Sequence, residues 1–371
     1  MSRSDLAREL GLTRTTVGNA IKLLLEADLV HEPVIVSDLA LASDPARIGR
    51  PSVGVSLNAA GAYFVGLDVS TSALTAVLID FTMTVVARFT TPVGPDLQDV
   101  SIATERLAAL AKRAIRAAGK HRDRVRGIGV SIPGLVARDG RVAIAPFLEW
   151  RAVDLKTSLE QQLGSDIGIT ICNDAVALAS VVCAAAPEAE MSDLLLILLS
   201  EGIGSAMIRQ GRVSDGFNGY AGEIGQMVLG PRAGPAPSDT FQLLAGQRYF
   251  KPFFDKGVSV ADAVVALAAR TADPPGFGQA LDRWAEHLAA GLLNAIWLLD
   301  PERIVIGGVL APLYPHVAAR VNEILGESMR GLRVPPIRLS EYGADGPARG
   351  AAALIRETLF ALPILSEGAT D

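Results

Sequence analysis

Cysteine is scarce in this chain of 371 residues, which contains only Cys172 and Cys183. Two cysteines in apolar segments cannot build the disulfide framework that holds small secreted domains together. We therefore expect a cytoplasmic protein. The first ten residues, MSRSDLAREL, include no apolar signal region, which is consistent with that expectation.

Long apolar runs are also missing, although 50% of the residues are hydrophobic. The strongest candidate, residues 288–299, includes Asn294 and is far shorter than the roughly 20 residues that cross a bilayer. It indicates a core helix and no membrane partner. The 36 glycines and 21 prolines are spread along the chain, which excludes collagen-like or disordered composition. A formal net charge of -6 argues against non-specific coating of nucleic acid, but a small DNA-binding module remains compatible with it.

The first thirty residues have the pattern of two short helices joined by a turn. Ser2 offers an N-cap, and apolar residues recur at helical spacing until Gly11. Thr13 offers a second N-cap, followed by an apolar stripe that ends near Asp28. Two short helices around a glycine-containing turn describe a helix-turn-helix. Residues 29–32 and 54–57 would pair as wing strands around a loop that contains Arg50.

From residue 62 the pattern changes to apolar and β-branched runs. Strands are predicted at 63–68, 74–80, 84–89, 125–131 and 167–172, with helices at 101–118, at 153–163 and from Asn173. A second set has strands at 194–199, 205–209, 303–306 and 337–339. Its helices lie near Thr240, Ser259 and Phe277, at 313–330 and from Pro347. Two α/β halves of similar order predict a two-lobed molecule with a cleft between the lobes.

Seven motifs stand in order along nearly the whole chain. They are SRSDLARELGLTRTTVGNAIKLLLEADLV, GRPSVGVSLN, GIGVSIPG, CNDAVALA, EGIGSAMI, GYAGEIGQM and DPERIVIGG. Together they resemble the ROK family (repressors, open reading frames and sugar kinases), specifically its transcriptional regulators. The resemblance implies an α/β protein with the actin-like, two-lobed ATPase and sugar-kinase fold, preceded by a small winged helix-turn-helix domain. We expect that winged domain at 1–58, a small lobe at 59–175 with 345–371, and a large lobe at 176–344.

The second helix supplies the candidate DNA contacts, because in a helix-turn-helix its N-terminal side chains meet base edges in the major groove. The candidates are Arg14, Thr15, Thr16 and Asn19 for bases and Lys22 for a phosphate. Arg50, in a Gly-Arg-Pro segment, resembles an arm for the minor groove. The alternative is an ordinary helical hairpin with solvated polar residues. Acidic residues nearly match the basic ones in this module, so attraction to phosphate must come from a local face.

Family members usually carry another helix before the SRSDLA segment. We therefore expect the winged module of this sequence to lack its first helix.

The resemblance also implies a sugar site. Asn173 and Asp174 match a pair that hydrogen-bonds sugar hydroxyls and whose Asp is the catalytic base in the kinases, although an ordinary helix N-cap is the alternative interpretation. Glu223 resembles the carboxylate that binds two hydroxyls, and Gly134 the glycine that lets backbone approach the sugar. Gln226 is expected to line the same site.

The nucleotide motifs are degraded. The family loop Asp-x-Gly-Gly-Thr, whose glycines let backbone N–H groups approach phosphate, here reads Asp68-Val-Ser-Thr-Ser72. Glu201 stands where a small polar residue is usual, and its carboxylate would repel an adjacent phosphate. Binding of ATP is therefore not expected. The remnants of the nucleotide site are Asp68, Gly202, Gly204, Gly307 and Gly308.

Three further positions depart from the family pattern. Gln226 replaces the histidine of the family's zinc site, and residues 227–239 contain none of its three cysteines, so we predict no metal and no other cofactor. Phe147 follows Pro146 where the family has an Asn, and a Glu usual before Leu243 has no clear counterpart. These changes predict a less polar sugar ligand than the usual one.

The sequence favours a sugar-responsive transcriptional regulator, a repressor without enzyme activity. It would bind operator DNA as a homodimer or homotetramer and a sugar or sugar-phosphate effector in the cleft. One alternative is an active ATP-dependent sugar kinase that uses Asp174 as base. The other is a degenerate body that binds no ligand and represses constitutively.

Overall fold

The computed structural model describes residues 1–32, 54–164, 166–185, 193–230, 239–255, 257–270 and 274–360. Its strands, in chain order, are β1 Val30–His31, β2 Ser56–Leu57, β3 Tyr63–Val69, β4 Ala73–Asp80, β5 Val85–Pro92, β6 Val125–Ile132, β7 Leu135–Val136, β8 Val142–Ala145, β9 Trp150–Val153, β10 Gly168–Asn173, β11 Asp193–Leu199, β12 Ile203–Arg209, β13 Arg212–Val213, β14 Arg303–Gly307 and β15 Ile337–Leu339. Its α-helices are α1 Arg3–Glu9, α2 Arg14–Glu26, α3 Val100–Ala117, α4 Leu155–Leu163, α5 Asp174–Ala185, α6 Phe241–Ala245, α7 Gln247–Phe250, α8 Val260–Ala268, α9 Phe277–Leu299, α10 Ala318–Ser328 and α11 Gly346–Phe360.

The N-terminal helices begin at the two predicted caps. The Ser2 side chain accepts a hydrogen bond from Asp5 N, and the Thr13 side chain accepts one from Thr16 N. These bonds satisfy backbone donors that have no partner within the first turn of each helix. A small core of Ala7, Val17 and Ile21 joins α1 to α2. Beside it, β1 and β2 pair antiparallel, and Ser2 forms a further bridge to Gly54.

Two five-stranded sheets follow, and their strands have the same order. The first sheet has the order β10-β6-β3-β4-β5, and the second has β15-β14-β11-β12-β13. In each sheet the first three strands along the chain are antiparallel to one another, and the last two are parallel to the first. The carboxyl ends of the parallel strands therefore lie along one edge of each sheet. Binding sites in α/β proteins form at such edges.

Helices α5 and α11 pack against each other between the two sheets. Helix α11 covers β3 and β6 of the first sheet, whereas α5 covers β11 and β12 of the second. The other face of the first sheet packs on α3, and that of the second on the buried helix α9. The C-terminal helix thus contacts the sheet of residues 63–173, and the predicted division into domains stays a prediction.

Two expectations about local structure were wrong. Residues 150–153 form a strand of a small sheet, β7-β8-β9, so α4 begins only at Leu155. The helix predicted at 313–330 is a 3-10 turn over Ala311–His316 followed by α10. Pro315 explains that break, since proline has no N–H for an α-helical hydrogen bond.

Candidate ligand-binding cleft

Two adjoining cavities lie at the carboxyl ends of the parallel strands. The first has a volume of about 450 Å³ and the second a volume of about 520 Å³. Asp174, Leu198 and Ser200 line both. The first cavity also contains Gly134, Asn173, Glu223 and Gln226, so the five residues predicted for a sugar line one cavity.

The Asn173–Asp174 pair stands where β10 ends and α5 begins. Asn173 Oδ1 accepts hydrogen bonds from Ala175 N at 2.8 Å and from Val176 N at 3.2 Å, and Asn173 Nδ2 donates to Gly134 O at 3.0 Å. Asn173 is therefore a helix cap, as in the alternative interpretation, and it also ties α5 to the glycine of the Ser-Ile-Pro-Gly segment. Asp174 accepts from Ala175 N at 2.9 Å and lies between the two cavities.

Close contact with β12 places Glu223 in the first cavity. Gly222 has a φ of 93°, a conformation that favours glycine, and a Cβ on Gly225 would lie 2.1 Å from Ile203 O. Ser205 Oγ donates to Gly222 O at 2.6 Å and fixes the segment on the strand. Burial raises the pKa of Glu223 to about 7. The carboxyl group is thus held at a fixed place with little water around it.

An apolar wall closes the first cavity on the side of β8 and β11. Phe147 is 40% exposed there and packs over the turn between β11 and β12. A Cβ on Gly202 would lie 2.8 Å from Gln242 Oε1 and 3.1 Å from Phe147 Cε2, so only glycine fits under that ring. The remaining apolar members of the lining are Pro133, Leu135, Ile144, Pro146, Leu198 and Ile203.

The predicted nucleotide remnants do not stay together. Asp68 and Gly308 line the second cavity, but Gly202 and Gly204 line the first, because the turn that carries them leans over the sugar-site residues. Gly307 lines neither and faces Leu178, whose Cδ2 would lie 2.5 Å from a Cβ there. The grouping of these five residues as one site is therefore corrected.

Sequence reasoning missed three polar members of the first cavity, namely Tyr220, Ser200 and Gln242. Gln242 stands immediately before Leu243, where no counterpart to the family carboxylate was recognised, and it contributes an amide to the cavity. Tyr220 and Ser200 lie beside predicted motif residues, and that adjacency was the available signal.

Four carboxylates face the cleft: Asp68, Asp174, Glu201 and Glu223. Asp68 is buried and accepts a hydrogen bond from Ser131 Oγ. Burial, opposed by that bond and reinforced by the charge of Glu201, raises its pKa to about 7. Burial followed by the charges of Asp68 and Glu201 raises the pKa of Asp174 well above its ordinary range. Such surroundings disfavour an anionic ligand and favour hydroxyl donors.

Glu201 binds the turn that the family motif reserves for phosphate. Glu201 Oε1 accepts from Thr71 N and from Thr71 Oγ1, each at 3.0 Å, and Oε2 accepts from Ser200 Oγ at 2.6 Å. Within the described ranges, no arginine or lysine pairs with this carboxylate. The hydrogen bonds from Thr71 join the two sheets across the cleft.

No group of three or more His, Cys, Asp or Glu side chains suited to a metal ion occurs in the part of the chain that the structure describes. At the position of the family's zinc histidine, Gln226 is an exposed amide at the first cavity. An amide without neighbouring thiols does not fit zinc. None of the helices among the described residues is long and apolar enough to cross a membrane.

The candidate DNA contacts are displayed on one helix. Arg14, Thr15, Thr16, Asn19 and Lys22 are all exposed on α2. No acidic residue occurs from position 14 to position 22, so this stretch is locally basic although the module as a whole is not. Lys22 makes a long i,i+4 pair of 3.9 Å with Glu26. Arg50 lies outside the described residues.

A clamp of three side chains fixes the end of α2 to the first sheet. Arg124 Nη1 donates to Asp28 Oδ2 at 2.6 Å and to Ala60 O at 3.0 Å. Asn58 Nδ2 donates to Asp28 O at 2.8 Å and to Asp28 Oδ1 at 3.0 Å. Asp28 follows α2, and Arg124 immediately precedes β6, so the orientation of α2 is tied to the sheet that forms one side of the cleft.

The chain is similar to known proteins over most of its length. The family model described as "ROK family" matches residues 64–358. The xylose repressor of Bacillus subtilis (strain 168) is 24% identical over 96% of this chain and 91% of its own. The kanosamine kinase of Amycolatopsis mediterranei (strain S699) is 29% identical over 68% of this chain and 84% of its own. The crystal structure of a ROK family transcriptional regulator, a homologue of the E. coli MLC protein, superposes with a TM-score of 0.73 at 21% identity, covering 97% of this chain and 92% of the other.

Proposed function

Because this chain belongs to the ROK family, we propose that it is a sugar-responsive transcriptional repressor that binds operator DNA through α2. The observation that carries the proposal is the clamp formed by Asp28, Asn58 and Arg124, which joins an exposed, locally basic helix to one wall of a polar cavity. A kinase has no use for such a connection. A regulator needs two sites whose occupancies influence each other.

The DNA contacts follow from the residue types on α2. Arg14 can read guanine and Asn19 adenine through paired hydrogen bonds, whereas Lys22 suits a phosphate. Thr16 is less free, since its Oγ1 lies 2.8 Å from Thr13 Oγ1 within the N-cap. We propose that two copies of the chain present two such helices to two half-sites of an operator, as dimeric helix-turn-helix proteins do.

The effector that fits the first cavity best is a neutral monosaccharide. Glu223 and Asp174 offer oxygens to paired hydroxyl donors, and Gln226 and Gln242 add amides. Phe147 suits the C–H face of a sugar ring. A phosphate on the sugar would meet the negative charges of the cleft, which makes a sugar phosphate the poorer candidate.

Coupling follows if sugar binding changes the relative position of the two sheets. The first cavity takes Gly134 and Phe147 from the side of the first sheet and Glu223 and Gly202 from the side of the second. A sugar that contacts both favours one arrangement, and the clamp carries α2 with the first sheet. The spacing of two α2 helices in a dimer would then change, which an operator with fixed half-sites detects.

The test measures binding of the purified chain to the DNA upstream of its own gene, at physiological salt, with and without a panel of neutral sugars. Xylose is placed first because the relatives named xylose repressors are similar over the whole chain. Specific binding that one sugar weakens is the expected result. Arg14→Ala and Asn19→Ala should each abolish specific binding, whereas Arg8→Ala, an equal loss of charge on α1, should leave it nearly unchanged. Binding that no sugar affects would contradict the proposal.

A second candidate function is phosphorylation of a sugar. It is favoured by one observation: Asp174 lies between the two cavities, where a base would bridge a sugar hydroxyl and a phosphate donor. Its test is ATP-dependent phosphorylation of the same sugars. Turnover that Asp174→Asn abolishes would replace the repressor proposal by a kinase.

A further inference from the structure

The second cavity is bordered by two turns that meet each other. One turn, residues 70–72, connects β3 to β4, and the other, residues 200–202, connects β11 to β12. Thr71 is the middle residue of the first turn, and Glu201 is the middle residue of the second. The Glu201 carboxylate takes both donors of Thr71, its N–H and its hydroxyl.

These donors form an anion-binding arrangement. A backbone N–H and a neighbouring hydroxyl directed at the same point are the groups with which turns hold phosphate and other oxyanions. The other donors of this turn are occupied internally, because Ser70 Oγ accepts from Ala73 N at 3.0 Å and donates to Ala73 O at 3.0 Å. Thr71 is therefore the group that this turn offers outward, and a carboxylate of the same chain binds it.

The cation at the second cavity is also engaged. Arg88 lines that cavity, and its Nη1 lies 3.7 Å from Asp345 Oδ2, a carboxylate that Arg349 also contacts at 3.0 Å. An incoming phosphate would have to compete with Glu201 for Thr71 and with Asp345 for Arg88. It would also approach the negative charge of Glu201 itself, which costs several kcal/mol for unscreened like charges in contact.

We propose that Glu201 is an internal anion that occupies the oxyanion site of the second cavity and thereby excludes phosphorylated ligands such as nucleotides. The same hydrogen bonds hold the turns of the two sheets together. The exclusion acts at the second cavity and holds whether or not the chain binds DNA, so it goes beyond the proposed function.

The first measurement is the affinity for ADP and for inorganic phosphate, by calorimetry, of the full chain and of Glu201→Ser and Glu201→Gln. Glu201→Ser frees Thr71 and removes the charge, so ADP should bind about tenfold more tightly or better. Glu201→Gln removes the charge but keeps an acceptor for Thr71, so its gain should be smaller. Glu160→Gln on α4 is the matched control, since it removes an equal charge far from the cavity, and it should bind ADP as weakly as the unaltered chain.

The second measurement is hydrogen exchange of the Thr71 amide, which reports the contact without any ligand. It should be slow in the unaltered chain and in Glu160→Gln, and many-fold faster in Glu201→Ser. Equal ADP affinity in all four proteins would overturn the proposal, as would rapid exchange of Thr71 in the unaltered chain. Because Glu201→Gln keeps the shape and the acceptor of the glutamate, it tests the role of the charge even if the serine variant folds poorly.

Discussion

Gly350 in α11 lies directly against the carbonyl oxygen of Ala177 in α5, so closely that a Cβ on the glycine would be 1.7 Å from that oxygen. No L side chain fits at this distance without moving one helix away from the other. Since α5 covers the second sheet and α11 the first, the separation of the two sheets is set at this contact.

Gly350→Ala should therefore destabilise the fold, in the range of about 1–3 kcal/mol that overpacking typically costs, or more. Urea unfolding checks this prediction. The matched control is Gly278→Ala in α9, where a Cβ would meet nothing within 4 Å. That variant should be as stable as the unaltered chain or gain up to about 1 kcal/mol. Equal stabilities of the two variants would refute the close contact.

The Asp28–Arg124 clamp predicts a loss of coupling without a loss of folding. Both side chains are partly exposed, and exposed ion pairs contribute about 1 kcal/mol or less, so Arg124→Ala should stay folded. Its sugar affinity should be unchanged because the clamp is outside the cavity. Its DNA binding should respond several-fold less to sugar, as measured by fluorescence anisotropy. Arg122→Ala, a neighbouring exposed arginine, should keep the full response, and an unchanged response in Arg124→Ala would show that the clamp transmits nothing.

The carboxylate of Glu223 should decide whether sugar binds at all. A sugar that binds the folded chain raises its melting temperature by mass action. Glu223→Ala removes the acceptor of two hydroxyls and should abolish that rise for the sugar identified with operator DNA. Glu327→Ala on α10, outside the cavity, should leave it intact. If the rise survives in Glu223→Ala, the sugar binds elsewhere.

Asp68 predicts a pH dependence of stability. Its pKa is raised from 3.8 to about 7 in the folded chain, so the folded state holds this proton over a range in which the unfolded state has lost it. Stability from this group is therefore present below pH 4 and falls as the pH rises towards 7. Asp68→Asn has no such proton, so its melting temperature should gain on that of the unaltered chain between pH 5 and pH 8. An identical pH profile of both proteins, with exposed Asp123→Asn as control, would contradict the raised pKa.

The sequence predicted the sugar-site residues better than it predicted their surroundings. Asn173, Asp174 and Gly134 follow strand ends, and parallel strands bring their carboxyl ends to one edge, so these residues could be expected to meet. Glu223 depends on the glycines around it, which the motif contains. The β7-β8-β9 sheet was missed because its strands are two to four residues long and have no clear alternation of their own.

Contacts between distant segments were beyond local patterns. Glu201 stood out as a departure, but its partner Thr71 lies 130 residues away in sequence. Likewise, no periodicity shows that Gln242 reaches the first cavity or that Gly204 lies there instead of in the second. Such placements arise from packing between elements, which a single sequence does not specify locally.

The repeated strand order gives the Thr71–Glu201 contact a further meaning. The two turns occupy equivalent positions in the two sheets, so the two residues correspond to each other across an approximate twofold axis that relates the halves of the chain. Identical residues at such a position would bring two carboxylates or two hydroxyls face to face. A contact between a donor and an acceptor requires that the halves differ at this point. The asymmetry of one pair of side chains thus separates this molecule from a true repeat at the place where its two halves meet.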